Sequence, residues 1–166
     1  MDFELKPLSV EAIPAALERA HLYRLLNEPS QAESICEDVL RVDPQNQIAL
    51  VTLLLAITDQ FGAQLSAARA RNVLPRLTGE YERAYYAGII LERSARARMR
   101  EGSPGSNFQA YAELREAMHH YEMAELLRPS GNDEALLRWN TCVRTLSTHH
   151  ELRPQPEEAF APIMDE

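Results

Sequence analysis

Glycine is scarce in this chain of 166 residues, with six in all, and valine, isoleucine and threonine together number 19 against 22 alanines and 22 leucines. A sequence so poor in strand formers and so rich in good helix formers is expected to be all-α. Cysteine is nearly absent: Cys36 and Cys142 are too few and too far apart for a disulfide framework or a metal knuckle. They read as buried, inert thiols in a reducing compartment, so a cytoplasmic location is expected. Lysine occurs once beside sixteen arginines, and the formal charge is −8. That balance argues against nucleic acid, whose binders neutralise phosphates with a basic face, and against an anionic membrane surface. Long apolar runs are missing too. The longest, Ile48 to Ile57, is interrupted by Thr52 and reaches about half of what crosses a bilayer. No transmembrane segment is expected, and the first residues lack the basic start and apolar stretch of a signal peptide. The nucleophile elbow, phosphate loop, dinucleotide fingerprint and zinc-protease pair are also absent from the sequence. No cofactor or metal is expected, and no catalytic residue is assigned.

What is present is helical periodicity punctuated by stop signals. Seven helical segments are expected: Val10 to Leu26, Ser30 to about Asp43, Asn46 to about Gln60, Ala63 to about Val73, Glu80 to Arg100, Asn107 to Arg128, and Asp133 to Thr148. Asp43-Pro44 ends the second because the residue ahead of a proline is pushed out of the helical region. Asn46 is a natural cap for the third. Ile48, Val51, Leu53, Leu54, Leu55 and Ile57 leave that third helix almost no polar face, which places it in the middle of the molecule. The division is one helical domain over 1–150 followed by an acidic, proline-containing tail over 151–166, which carries −4 of the charge.

The helix pairs end at Asp43-Pro44, at Leu77-Thr78-Gly79 and at Arg128-Pro129, spaced by 34 residues and then by 51, or 34 plus an insertion of 17. Small residues recur at the same offset. Ala20 and Tyr23 precede Ala32, Cys36, Val39 and Pro44 in the first unit; Leu54 and Ile57 precede Ser66, Ala70 and Val73 in the second; Gly88 and Leu91 precede Ala117, Tyr121, Ala124 and Pro129 in the third. A helix-turn-helix unit of 34 residues with this pattern resembles the tetratricopeptide repeat. The resemblance implies a right-handed α-solenoid of antiparallel helix pairs, with repeats at about 13–46, 47–80 and 81–131 and a capping helix at 132–149. The third repeat is expanded.

In that family one face of each unit's first helix lines a concave ligand groove. Carried over, the groove would be lined by Leu17, His21 and Arg24, by Ile48, Val51, Leu55 and Thr58, and by Glu82, Tyr85, Ile89 and Glu92, apolar along its floor and polar at its edges. Such a groove suits an amphipathic helix or extended segment of a protein partner. The insertion lengthens the fifth and sixth helices into a hairpin expected to project from the solenoid, tipped by Gly102-Ser103-Pro104-Gly105. Arg93, Arg96, Arg98 and Arg100 fall on its outgoing arm, either as dipole-matched surface charge or as a docking site for an acidic segment, this chain's own tail included.

The expected function is therefore non-catalytic protein–protein interaction. Three alternatives stand beside it. One is a small acidic chaperone that holds hydrophobic secretion substrates in the groove. Another is a homodimer in which a second copy fills the groove or meets the hairpin. The third is a metal-dependent helical-bundle enzyme built around Glu116, His119 and His120, for which only one good ligand pair is visible where catalytic zinc needs at least three protein ligands.

Overall fold

The computed structural model describes residues 3–62 and 67–156. Within them the chain is all-helical, with seven α-helices and no strand: α1 Ile13–Leu25, α2 Pro29–Val42, α3 Gln47–Asp59, α4 Ala67–Arg71, α5 Glu80–Glu101, α6 Ser106–Leu127 and α7 Glu134–Thr148. The expected beginning of the fourth helix at Ala63 and the tail beyond Pro156 lie outside the described residues. No described helix is long and apolar enough to cross a membrane.

Local chemistry sets the boundaries. Val10–Ala12 form a single 3₁₀ turn, and α1 proper starts at Ile13 with Pro14 in its first turn, where a missing N–H costs nothing. Asn27 takes the left-handed conformation at φ 59°, so the Glu28 amide closes back on the Tyr23 carbonyl at 2.8 Å and the chain reverses into α2. Asp43, ahead of Pro44, leaves the helical region at φ −128°. The Asn46 side chain accepts from the Ala49 amide at 2.9 Å, capping α3. Gly102, left-handed at φ 64°, ends α5.

Each helix packs on the one before it in sequence, and α1 also meets α3, as α3 meets α5. Two cores result. The first joins α1, α2 and α3 to Phe61, Ala70, Val73 and Leu77, with Ile90 and Ala97 reaching in from α5. The second is built by α5, α6 and α7. Leu55 and Tyr86 pack against both and form the joint. As its composition requires, α3 is buried on most sides, including Leu50, Leu53, Leu54 and Ile57.

The α5–α6 pair, with 22 residues in each helix against 13 to 15 in α1, α2, α3 and α7, makes the most extensive contact in the molecule. Gly88 allows it: a Cβ there would lie 2.5 Å from the Tyr121 ring. The expected projecting hairpin is not bare, however. Its far end is tied back by Arg100, whose guanidinium donates to the Phe61 carbonyl at 3.2 Å, and Ala97 is buried in the first core. On another side Leu152 is buried in the second core, so the body continues past the expected boundary at 150. One apolar side chain in a polar segment finds a site between the helices, and burial of a leucine is worth about 1.5–3 kcal/mol.

Gly88→Ala should destabilise the fold by about 1–3 kcal/mol, because the added methyl meets a rigid aromatic ring rather than a flexible chain end. Chemical denaturation measures this, and an unchanged midpoint would show that the helices can separate without cost.

Candidate functional site

The face expected to line a groove is partly open and partly closed. His21, Ile48 and Glu82 are exposed, with Ile48 at 66% relative exposure. Val51 and Leu55 are half-buried, one and two turns along α3 from Ile48. Leu17, Thr58, Tyr85, Ile89 and Glu92 are buried, so these five do not present themselves to a ligand. The α5 part of the face is closed by α7. Tyr85 stacks on Tyr81 with centroids 5.7 Å apart, meets Tyr86 edge-on at 5.1 Å, and bonds through its hydroxyl to Arg138 of α7.

Glu92 departs furthest from expectation. It was placed at a groove edge, yet it is 1% exposed. Its carboxylate accepts from the Tyr121 hydroxyl of α6 at 2.7 Å, from Arg96 at 2.9 Å and from Arg138 at 3.4 Å. The stripe that carries Tyr85 and Ile89 continues onto Glu92, and all three are buried, with Arg138 of α7 beside Tyr85 and Glu92. Burial pushes the Tyr121 phenol well above its ordinary range, and the neighbouring Glu92 carboxylate adds to the shift, so the hydroxyl stays a donor. Burial opposes the charge on Arg138, but Glu92 and the Tyr85 hydroxyl more than offset it and hold the guanidinium above its usual value.

A second ionic tie closes the other end of α3. Asp59 bonds Arg24 of α1 at 2.7 Å and, through its other oxygen, Arg93 of α5. Arg93 also donates to Thr58 Oγ1 at 2.7 Å and to the Leu55 carbonyl at 3.2 Å, in the last turn of α3, where a cation is favoured by the helix dipole. Burial lowers the Arg93 guanidinium from its ordinary value, and Asp59 partly restores it. Arg24 is thus engaged within the protein rather than free at a groove edge.

The arginines of the α5 arm are likewise used internally. Arg93 is bound to α3; Arg96 pairs with Glu92; Arg98 pairs with Glu113 at 3.0 Å and reaches Gln109 at 2.8 Å. Arg100 bonds a carbonyl and has no carboxylate partner among the described residues. Sequence reasoning treated the four as one outward cluster because the partners of Arg93, Arg98 and Arg100 are distant in sequence and because Glu92, the partner of Arg96, was itself read as a surface residue. Asp59, Tyr121 and Arg138 were missed as site residues for the same reason. The one local signal was that Glu92 shares the stripe of Tyr85 and Ile89.

Chemically these groups close on one another. Burial pushes the Cys36 and Cys142 thiols up to about 12, so neither is a thiolate at neutral pH. His119 is exposed, 4.0 Å from Glu122, while partial burial lowers His120. Among the described residues no three His, Cys, Asp or Glu side chains converge to hold a metal ion, so Glu116, His119 and His120 do not form a three-ligand set. Trp139 packs on α6 and donates to Glu122 at 3.0 Å.

Glu92→Ala should cost about 2–4 kcal/mol, toward the lower end of the range for a broken buried ion pair because Arg96 and Arg138 can rehydrate while Tyr121 cannot. Glu92→Gln, which still accepts from Tyr121, should cost less. Equal losses in thermal denaturation would contradict the bonding described. Comparison of the chain with protein-family models, with curated proteins and with solved structures finds no match.

Proposed function

We propose that the chain is a non-catalytic, tetratricopeptide-like protein whose helix pairs form a right-handed α-solenoid, and that it binds an amphipathic helix or extended segment of another protein across the open part of its α1–α3 face. The observation that carries the reading is the apolar strip on α3. Ile48 stands exposed at the start of a helix whose other large side chains are largely covered, and Val51 and Leu55 continue the strip half-buried. Side chains at i, i+3 and i+7 are the spacing with which a groove meets an apolar partner face. Exposed His21 on α1 and Glu82 on α5 supply polar edges.

The architecture supports the repeat reading. First helices begin at Ile13, Gln47 and Glu80, each about one 34-residue period from the last, and they touch in that order. Gly88 seated under Tyr121 fits the close crossing such units need. The ionic groups hold helices to one another, which suits a rigid binding surface better than a reacting centre. Two unpaired buried thiols fit a reducing, cytoplasmic setting.

Ile48→Asp alters an exposed position, where substitutions usually move stability by no more than about 0.5 kcal/mol. Leu137→Asp on α7, at a residue 61% exposed, is a matched control away from the strip. In affinity capture from native lysate, Ile48→Asp should lose proteins that wild type and Leu137→Asp retain. Identical recovery by all three would remove the α3 strip as the binding face.

A further inference from the structure

Between the far end of α5, the start of α6 and the end of α7 lies a cleft of about 340 Å³ lined by Arg96, Met99, Arg100, Asn107, His149 and Glu151. Its character is cationic with one apolar wall. Arg96 is 42% exposed at its side chain although its Nε–H is buried with no partner among the described residues. Arg100 has a carbonyl partner but no carboxylate among those residues. The one lining carboxylate, Glu151, hydrogen-bonds His149 at 3.0 Å, and the lining sets two guanidinium groups against it. Two further carboxylates bear on the surroundings: Glu92 holds Arg96 from the opposite side, and Glu113 neutralises Arg98.

The chain itself leads to this cleft. After α7, Leu152 is buried and Arg153 lies 6.0 Å from the centre of the Phe108 ring, beside a second cavity that shares Asn107 and Glu151 with the first. The next ten residues, 157–166, contain Glu157, Glu158, Asp165 and Glu166, no basic residue, and the apolar Phe160, Ile163 and Met164. Ten residues reach at most about 36 Å, more than twice the roughly 16 Å of α5's last three turns. A tether this short gives an effective concentration on the order of millimolar, so even a weak contact is well populated.

We propose that residues 157–166 dock intramolecularly on this cleft, with carboxylates on Arg96 and Arg100 and an apolar side chain against Met99. The argument is independent of the α3 strip, which lies on other helices. Docking would cover a cationic site that an acidic partner segment could otherwise enter.

A paramagnetic label on the full chain at Met164→Cys tests this, since Cys36 and Cys142 are both fully buried and leave one labelling site. The expected result is loss of amide signal at Met99, Arg100 and Asn107, with recovery near 1 M salt, where the Debye length falls from about 8 Å to about 3 Å. Recovery is also expected in the labelled E157Q/E158Q/D165N/E166Q variant. Absence of any loss would overturn the proposal, as would loss that survives neutralisation of the four acids. Equal loss on unlabelled isotopic protein mixed with labelled protein would assign the cleft to a second copy and equally overturn it.

Discussion

A carboxylate enclosed in an apolar bundle must be bonded on every side, and Glu92 imposes that requirement on the second half of this molecule. Removing its charge from water costs several kcal/mol, which only well-placed partners offset. Those partners come from three helices: Arg96 from the next turn of α5, Tyr121 from α6 and Arg138 from α7. Apolar packing alone tolerates a sliding interface, whereas a buried ion with three fixed partners does not. α7, which packs on α6, is thereby also tied to α5, and Arg138 closes over Tyr85.

Asp59 does the corresponding work at the end of α3, joining Arg24 of α1 and Arg93 of α5. These groups are partly open to solvent, so each bond is individually modest. Their effect is geometric: α1, α3 and α5 share one fastening point, and the carbonyls at the end of α3 gain a cation. With Tyr85 and Ile89 buried and the α3 end fastened, the open apolar part of the expected groove face narrows to Ile48 and the half-buried Val51 and Leu55. The proposed binding face is thus what remains after the ionic ties have been made.

Features set by adjacent residues were legible in the sequence. Asn46 caps α3, Asp43-Pro44 ends α2, and Gly102 ends α5, each through chemistry confined to one turn. The central burial of α3 was also legible, since a helix without a polar face has nowhere else to go. Glu92 was not, because a carboxylate read in isolation belongs in water, and the partner that helps bury it, Arg138, is 46 positions away. Two of the α5 arginines failed similarly: the helix dipole explains their placement locally, but Arg93 is bound to α3 and Arg98 to α6. Leu152 was hidden by its acidic, proline-rich neighbours, whose composition says nothing about a single side chain that finds a gap between helices.

The central claim is that Glu92 acts as the shared acceptor that fixes α6 and α7 on α5. A double-mutant cycle pairing Tyr121→Phe with Glu92→Ala, each of which removes the Tyr121–Glu92 bond, followed by chemical denaturation, tests it most directly. The account predicts a coupling energy of about 1 kcal/mol or more, within the range for residues in one hydrogen-bond network. Additive losses would contradict it, because they would mean that the two groups stabilise the bundle independently.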